Sequence, residues 1–335
     1  MPVNMDWTIT TSLRHDPALL QVPDHPAIPS SHAGTTDSCF NQRTRSPFLM
    51  LDYHQDRLLQ AARYFGWPQA VGKLSGEAGL QFLTSSIPGD IAHQLKEDHH
   101  HHHSPGAARK LRICVSQDGS VTHDISDTPG RPLESLFPTA LPGPEGDLDA
   151  DSIGTGPAVL APRVPPTPFT VVVDSQPTRA SAFTHFKTTN RAAYDDARRR
   201  MTSALAGSGS GSGSGISPSA AEILLVGQHD RCIMEGSFTT PYFWRSGRWV
   251  TPPVTRLPTA QPARPAPAGR QDTSDVHWSG GHEGVSRRWA LERGLAIEQD
   301  VPAASLVDGE ECWLSNGVRG FFVGKIKLDL PRQGP

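Results

Sequence analysis

Short β-branched and aromatic runs separated by tight turns constrain this chain more than any other feature. After EILLVG comes a turn at Gln228 to Asp230, then RCIMEGS, TPYFW, a Ser246-Gly247 turn and RWVTPP, which together read as a meander. Residues 111–125 (LRICVSQDGSVTHDI) predict a hairpin around Asp118-Gly119. Residues 8–14 (TITTSLR), 169–174 (FTVVVD) and 296–301 predict further strands, with ECWLSN and VRGFFVGKI as closing strands. Helical spacing is confined to a few stretches. In residues 54–65, Leu58, Leu59, Ala62 and Phe65 share a face, and Gly66 and Pro68 stop the helix. Residues 74–97 predict more helix, broken at 87–90. After Lys187, Asp195 and Arg199, and Asp196 and Arg200, stand four apart, which supports another helix. Residues 284–294 predict one more, with Gly294 as its C-terminal stop. No regular strand–helix–strand rhythm runs through the chain. The expected class is α+β, with mainly antiparallel sheets and flanking helices, not a doubly wound fold.

At 335 residues the chain exceeds what one core usually holds. Two domains are expected, residues 1–177 and 178–335, with the boundary near 175–182. The 31 prolines and 31 glycines are clustered, which marks loop insertions rather than global disorder. They lie at 23–47, 127–168, the Gly-Ser repeat at 207–215 and the Pro/Ala-rich stretch at 253–280. His99 to His103 form a run beside Ser-Pro-Gly; without a scaffold to fix ligands it reads as low-complexity loop, not a metal site. Cys39, Cys114, Cys232 and Cys312 form no paired motif and read as free thiols, so no metal is expected. A net charge of -3 supplies no field to grip nucleic acid or an anionic membrane. The opening MPVNMDWTITTSLRHDP has neither a basic nor an apolar signal region, and a soluble, cytoplasmic protein is expected.

Most lysines are solvated surface charges. Lys187 differs, because it stands at a strand-to-helix junction beside Phe183 and Phe186. An apolar setting lowers a lysine pKa and makes the amine a usable nucleophile. The surrounding string FTHFKTTNRAAYDDAR resembles the cofactor-lysine region of the fold-type IV pyridoxal 5'-phosphate (PLP) enzymes, the class IV aminotransferases and aminodeoxychorismate lyases. By that resemblance Lys187 is the catalytic, cofactor-bearing lysine. HQDRLLQAA resembles the family helix whose arginine grips the cofactor phosphate, which implies Arg57; a guanidinium fork suits phosphate oxygens. CIMEGSFTTPYF resembles the segment whose glutamate meets the pyridine nitrogen, which implies Glu235. GGHEGVSRRWALERG resembles the segment where a helix start meets the phosphate, implying the Val285 and Ser286 N–H groups and the Ser286 hydroxyl. LSNGVRG resembles the closing phosphate loop and implies Ser315, Asn316 and Gly317. These pieces follow family order across about 260 residues.

The finer resemblance is to fungal-type aminodeoxychorismate lyase-like proteins. It rests on TSLRHDPALL, KTTNR, RWVTPP and the tail ERGLAIEQDVPAASLVDGEECWLSNGVRGF. It implies a lyase that releases pyruvate and forms 4-aminobenzoate. The alternatives are an aminotransferase of D- or branched-chain amino acids, or a non-catalytic interaction protein on the same fold. Branched-chain enzymes carry a tyrosine five residues after the lysine; here position 192 is Ala192, and Tyr194 is the nearest tyrosine. The acidic D-R-x-x-x-x-G-D-G element that often precedes the first strand is absent. Arg14, Arg191 and Arg319 are candidate binders of substrate carboxylates. Thr10, Thr11, Thr239 and Thr240 are candidates for a proton relay. The resemblance also implies a homodimer.

Overall fold

The computed structural model describes residues 7–28, 39–87, 107–144, 167–207, 216–256 and 280–328. The His99–His103 run, most of the Gly-Ser repeat and most of the insert at 253–280 lie outside them. Two sheets are present among the described residues. The first has the order β1-β2-β3, with β1 at Ile9–His15, β2 at Arg109–Val115 and β3 at Val121–Asp127, all antiparallel. The hairpin expected around Asp118-Gly119 is β2–β3, and Gly119 takes the positive φ its turn needs.

The second sheet has eight strands in the order β6-β5-β4-β11-β10-β7-β8-β9. They are β4 (Phe169–Thr178), β5 (Ala221–Gly227), β6 (Ile233–Gly236), β7 (Thr240–Arg245), β8 (Arg248–Thr251), β9 (Ile297–Glu298), β10 (Glu311–Asn316) and β11 (Gly320–Lys327). The fold class is α+β, with antiparallel pairing predominating, as expected. Three pairs are parallel: β4 with β5, β4 with β11, and β8 with β9. The meander expectation fails at one step. Strands β5–β6 and β7–β8 pair as hairpins, but β6 and β7 do not pair, and four strands separate them in the sheet. Glu222 explains the break. Its buried carboxylate accepts from Ser237 N, Ser237 Oγ, Phe238 N and Thr239 Oγ1, which pins the 236–239 loop to β5 instead of a tight turn. Strand β4 runs across the expected boundary at 177/178 and pairs wholly within this second sheet.

Five helices matter for the site. Helix α1 (Leu51–Tyr64) begins earlier than its spacing predicts, with Met50 at its N-cap in the left-handed region. Asn41 holds that entry, accepting from Met50 N at 2.6 Å and donating to Ser46 O and Phe48 O. Pro68 does not stop α1; it is the first residue of α2 (Pro68–Leu74), where a missing N–H costs nothing. Helix α3 is Gly76–Ser85. Helix α4 (Ala192–Gly207) connects the parallel strands β4 and β5, a crossover such strands require. Its Tyr194, Ala197, Met201 and Leu205 pack against Val172, Ile223 and Leu225. The expected Asp195–Arg199 and Asp196–Arg200 pairs are replaced. Arg199 pairs with Asp196, and Arg200 clamps Asp174 of β4 with two bonds of 2.8 and 2.6 Å. A buried carboxylate outcompetes an exposed helix neighbour for a bidentate fork. Helix α5 is Val285–Glu292, capped by Gly284, with Gly294 at positive φ just beyond it.

Candidate active site

Strand β1 positions the centre. Its N-terminal part is covered along one edge by the chain around Lys187. Thr10 N donates to Lys187 O at 2.9 Å, Ile9 bridges Thr188, and Thr189 N donates to Thr8 O. Farther along, Arg14 N donates to Gly317 O at 3.1 Å. One strand thus fixes both the Lys187 segment and the Gly317 loop. An aromatic cluster seats the Lys187 segment from behind. Phe186 lies 4.6 Å from Tyr64 and 5.4 Å from Phe65, and Phe183 lies 5.2 Å from Trp7.

The Lys187 amine is pushed well below its usual range, first by burial and then by Arg57 and Arg191, against the opposing pull of Glu235. Adjacent threonines of β1 diverge, as strand geometry requires. Thr10 Oγ1 donates to Ile113 O at 2.8 Å, so its hydroxyl serves the sheet and not a proton relay. Thr11 Oγ1 faces α1, where it meets Arg57 Nη2 and lies 2.6 Å from His54 Nδ1. Arg57 is a fixed donor. Its Nη2 also lies 3.4 Å from His54 Nδ1, which favours Nδ1 as the acceptor of the Thr11 hydroxyl and Nε2 as the protonated nitrogen. Burial, then Arg57 and Lys187, hold His54 neutral. Burial lowers Arg57 to about 10, with Glu235 and Glu283 opposing.

Three buried polar atoms around this point lack a partner: His54 Nε2, Arg57 Nε and Ser286 Oγ. Gly317 closes the space between them. A Cβ there would lie 2.8 Å from both His54 Cε1 and Val285 Cγ2. The first N–H groups of α5 are also unsatisfied within the helix. Orphaned donors on two helices, α1 and α5, with a glycine leaving room, fit the oxygens of a phosphate monoester. Arg57, Val285, Ser286 and Gly317 come together as the resemblance implied. Ser315 and Asn316 are spent elsewhere. Ser315 Oγ is 2.9 Å from Tyr242 Oη, and Asn316 Oδ1 accepts from Val318 N and Arg319 N to hold the β10–β11 turn.

Glu235 is the penultimate residue of β6 and is buried. Burial pushes its carboxyl up, but His282 and Tyr194 outweigh that and leave it below the usual carboxylate range. Its position relative to Lys187 and Arg57 makes each feel its charge. Among the candidate substrate residues, Arg14 is excluded. It is fully buried, and Asp16, Val318 O and Pro129 O consume its guanidinium. Arg191 donates to Ser237 O at 2.7 Å and stacks 4.5 Å over Tyr194. Arg319 keeps an unpartnered Nη1 but stacks on Phe169 and Phe238. Thr239 Oγ1 is bound to Glu222, whereas Thr240 Oγ1 stays beside Gly284 at the start of α5. Sequence reasoning missed His54 and His282. His54 precedes Arg57 by three residues, the spacing that shares a helix face, so that signal was available. His282 follows a Gly-Gly pair, and nothing local aims it at Glu235. Among the described residues no cluster has the makings of a metal site, and no helix is long and apolar enough to cross a membrane.

No family model matches the chain. Aminodeoxychorismate lyase of Saccharomyces cerevisiae is 30% identical to it over 230 residues, which is 65% of this chain and 51% of that protein. The chain thus aligns with about half the length of this curated relative. A solved structure from Mesorhizobium loti, assigned as an amino-acid aminotransferase, superposes with a TM-score of 0.51 at 17% identity, over 96% of this chain and 100% of that one. The chain therefore has the fold of the fold-type IV aminotransferases and is related in sequence to aminodeoxychorismate lyase.

Proposed function

We propose that the chain is a PLP-dependent lyase that converts 4-amino-4-deoxychorismate to pyruvate and 4-aminobenzoate. The observation that carries this reading is the Lys187 amine, held in a low-pKa setting between the donor cradle of Arg57, His54 and Ser286 and the carboxylate of Glu235. When bound, PLP supplies an electron sink conjugated to the substrate's amine-bearing carbon. Arg57, Ser286 and the α5 start would hold its phosphate. Glu235, ionised and buried, would hold a proton on its ring nitrogen. Lys187 Nζ, once free, takes the proton from the ring carbon bearing nitrogen. The C–O bond to the enolpyruvyl group breaks with its electron pair on oxygen, and protonation of the released enol gives pyruvate. Aromatisation drives the step, so the protein chiefly binds and orients.

The sequence relationship to aminodeoxychorismate lyase supports the lyase, as does Ala192 in place of the tyrosine of branched-chain enzymes. The aminotransferase fold keeps transamination as the second reading. Incubation of the purified protein with aminodeoxychorismate, monitoring pyruvate and 4-aminobenzoate, decides between them when run beside amino-acid/2-oxo-acid pairs. Equal release of both products is expected; amino-group transfer without them would establish the aminotransferase. The homodimer and the cytoplasmic location belong to the same proposal, and light scattering of the purified protein tests the dimer.

A further inference from the structure

Glu235 is held by two residues to which the lyase reading assigns no role. Tyr194 Oη donates to its Oε1. The His282 backbone N–H and ring Nδ1 both reach Oε2, at 3.1 and 2.9 Å. The two rings lie nearly parallel, 5.3 Å apart, so each limits the other's rotation. Gly281 makes the approach feasible: a Cβ there would sit 2.1 Å from Glu235 Cδ. A carboxylate offers about four lone-pair directions. Three donors occupy three of them and leave one, on Oε1.

We propose that Tyr194 and His282 are positioning residues that fix Glu235 as an anion with a single open acceptor direction, suited to one protonated aromatic nitrogen. The proposal deepens the PLP reading, since the nitrogen it serves is that of the cofactor ring. Fixing matters because a buried carboxylate without donors would take up a proton instead of holding its charge. The groups that face Glu235 are Lys187, Arg57, His185, Tyr194 and His282, with Arg191 behind Tyr194. Burial lowers the His282 pKa against the opposing pull of Glu235, and because the Glu235 carboxylate only accepts, Nδ1 is the donor in their contact. Tyr194 is the tyrosine two positions beyond the place where branched-chain enzymes carry theirs, on the first turn of α4.

The test is carbon NMR of the full-length, cofactor-free protein labelled at glutamate Cδ, with the Glu235 signal assigned by its loss in Glu235→Gln. In the parent protein Glu235 should titrate below the usual carboxylate range. In Tyr194→Phe and His282→Ala its midpoint should rise by about one pH unit. His282→Asn, whose amide can donate from nearly the same place as Nδ1, should restore most of the shift. Circular dichroism checks that each variant is folded, and Tyr194→Phe is conservative enough to carry the test alone. With PLP added, kcat should fall roughly tenfold at near-constant KM. An unmoved Glu235 midpoint in folded Tyr194→Phe and His282→Ala would overturn the proposal whether or not PLP binds. If the midpoints move but the parent protein takes up no PLP, the anchoring of Glu235 stands and the cofactor reading falls.

Discussion

In the proposed reaction Glu235 and Lys187 divide the chemistry at the scale of single residues, and each can be altered alone. Glu235→Gln keeps the phosphate cradle of Arg57 and Ser286, so PLP should still bind. The ring nitrogen loses its anionic partner, and the transition state should lose about 2–4 kcal/mol, or roughly 30- to 1,000-fold in kcat. Steady-state kinetics with a parallel cofactor titration checks the split; near-parental turnover with PLP bound would refute the role. Lys187 makes two predictions. Borohydride reduction and peptide mapping should place the pyridoxyl group on Lys187, and a label on Lys73 or Lys110 would sink the assignment. Its lowered amine pKa also has a stability consequence. Between its folded and unfolded pKa values the native site binds fewer protons than the unfolded chain, so cofactor-free stability rises with pH across that window. Lys187→Met removes the slope. The variant should melt above the parent near neutral pH, with the gap narrowing as pH rises; a constant gap in thermal scans from neutral to alkaline pH would argue against a depressed amine.

At the scale of elements, the donor cradle depends on keeping α1 and α5 together. Tyr53 Oη meets Glu292, Arg288 Nη1 lies 2.6 Å from Asp56, and the Arg288 guanidinium stacks 4.0 Å over the Tyr53 ring. The ion pair is half exposed and contributes little by itself; with the stacking, Arg288→Ala should cost about 1 kcal/mol of stability. It should also raise the cofactor Kd several-fold while kcat of the loaded enzyme changes little. Gly317→Ala acts more directly, because its Cβ would crowd His54 and Val285. Cofactor affinity should fall while circular dichroism stays parental, and unchanged affinity would show that the loop does not border the phosphate. Local patterning made most of these elements legible in advance. The β2–β3 hairpin, α1, α5 and the β10–β11 pair follow from residue period and turn chemistry alone. The start of α2 at Pro68 was not legible, since proline equally ends one helix and begins another.

For the whole molecule, the described residues contain two sheets, their cores and the candidate residues Lys187, Arg57, Glu235, Ser286 and Gly317. A core cluster joins Leu19 and Tyr53 from the first half to Trp289 and Phe321 from the second, so the two halves share apolar packing beside the site. The His99–His103 run and residues 208–215 lie outside the described residues, whereas Ile28, Cys39, Leu133 and Phe137 of the stretches at 23–47 and 127–168 belong to this core and are not dispensable loop. Partial deletion of the Gly-Ser repeat at 207–214, or replacement of His99 to His103 by Ser, should leave activity and cofactor binding nearly intact. Loop-closure entropy varies slowly with length, so such changes cost little. A large loss of bound PLP in an absorbance assay would show those segments to be part of the fold.

The sequence by itself determined the α+β class and the strand-rich second half, and its motifs singled out Lys187, Arg57, Glu235, Val285, Ser286 and Gly317 as candidates. Period, turn residues and motif order are properties of short stretches, and they survive without knowledge of the neighbours. Only the tertiary structure decided the rest. It buried Arg14 against Asp16, turned Thr10 into the sheet and Thr11 into the site, and separated β6 from β7 through Glu222. It also brought His54, Tyr194 and His282 to the chemistry. Each of these outcomes depends on which distant group competes successfully for a buried donor or acceptor, and such competition is settled only when the chain has packed.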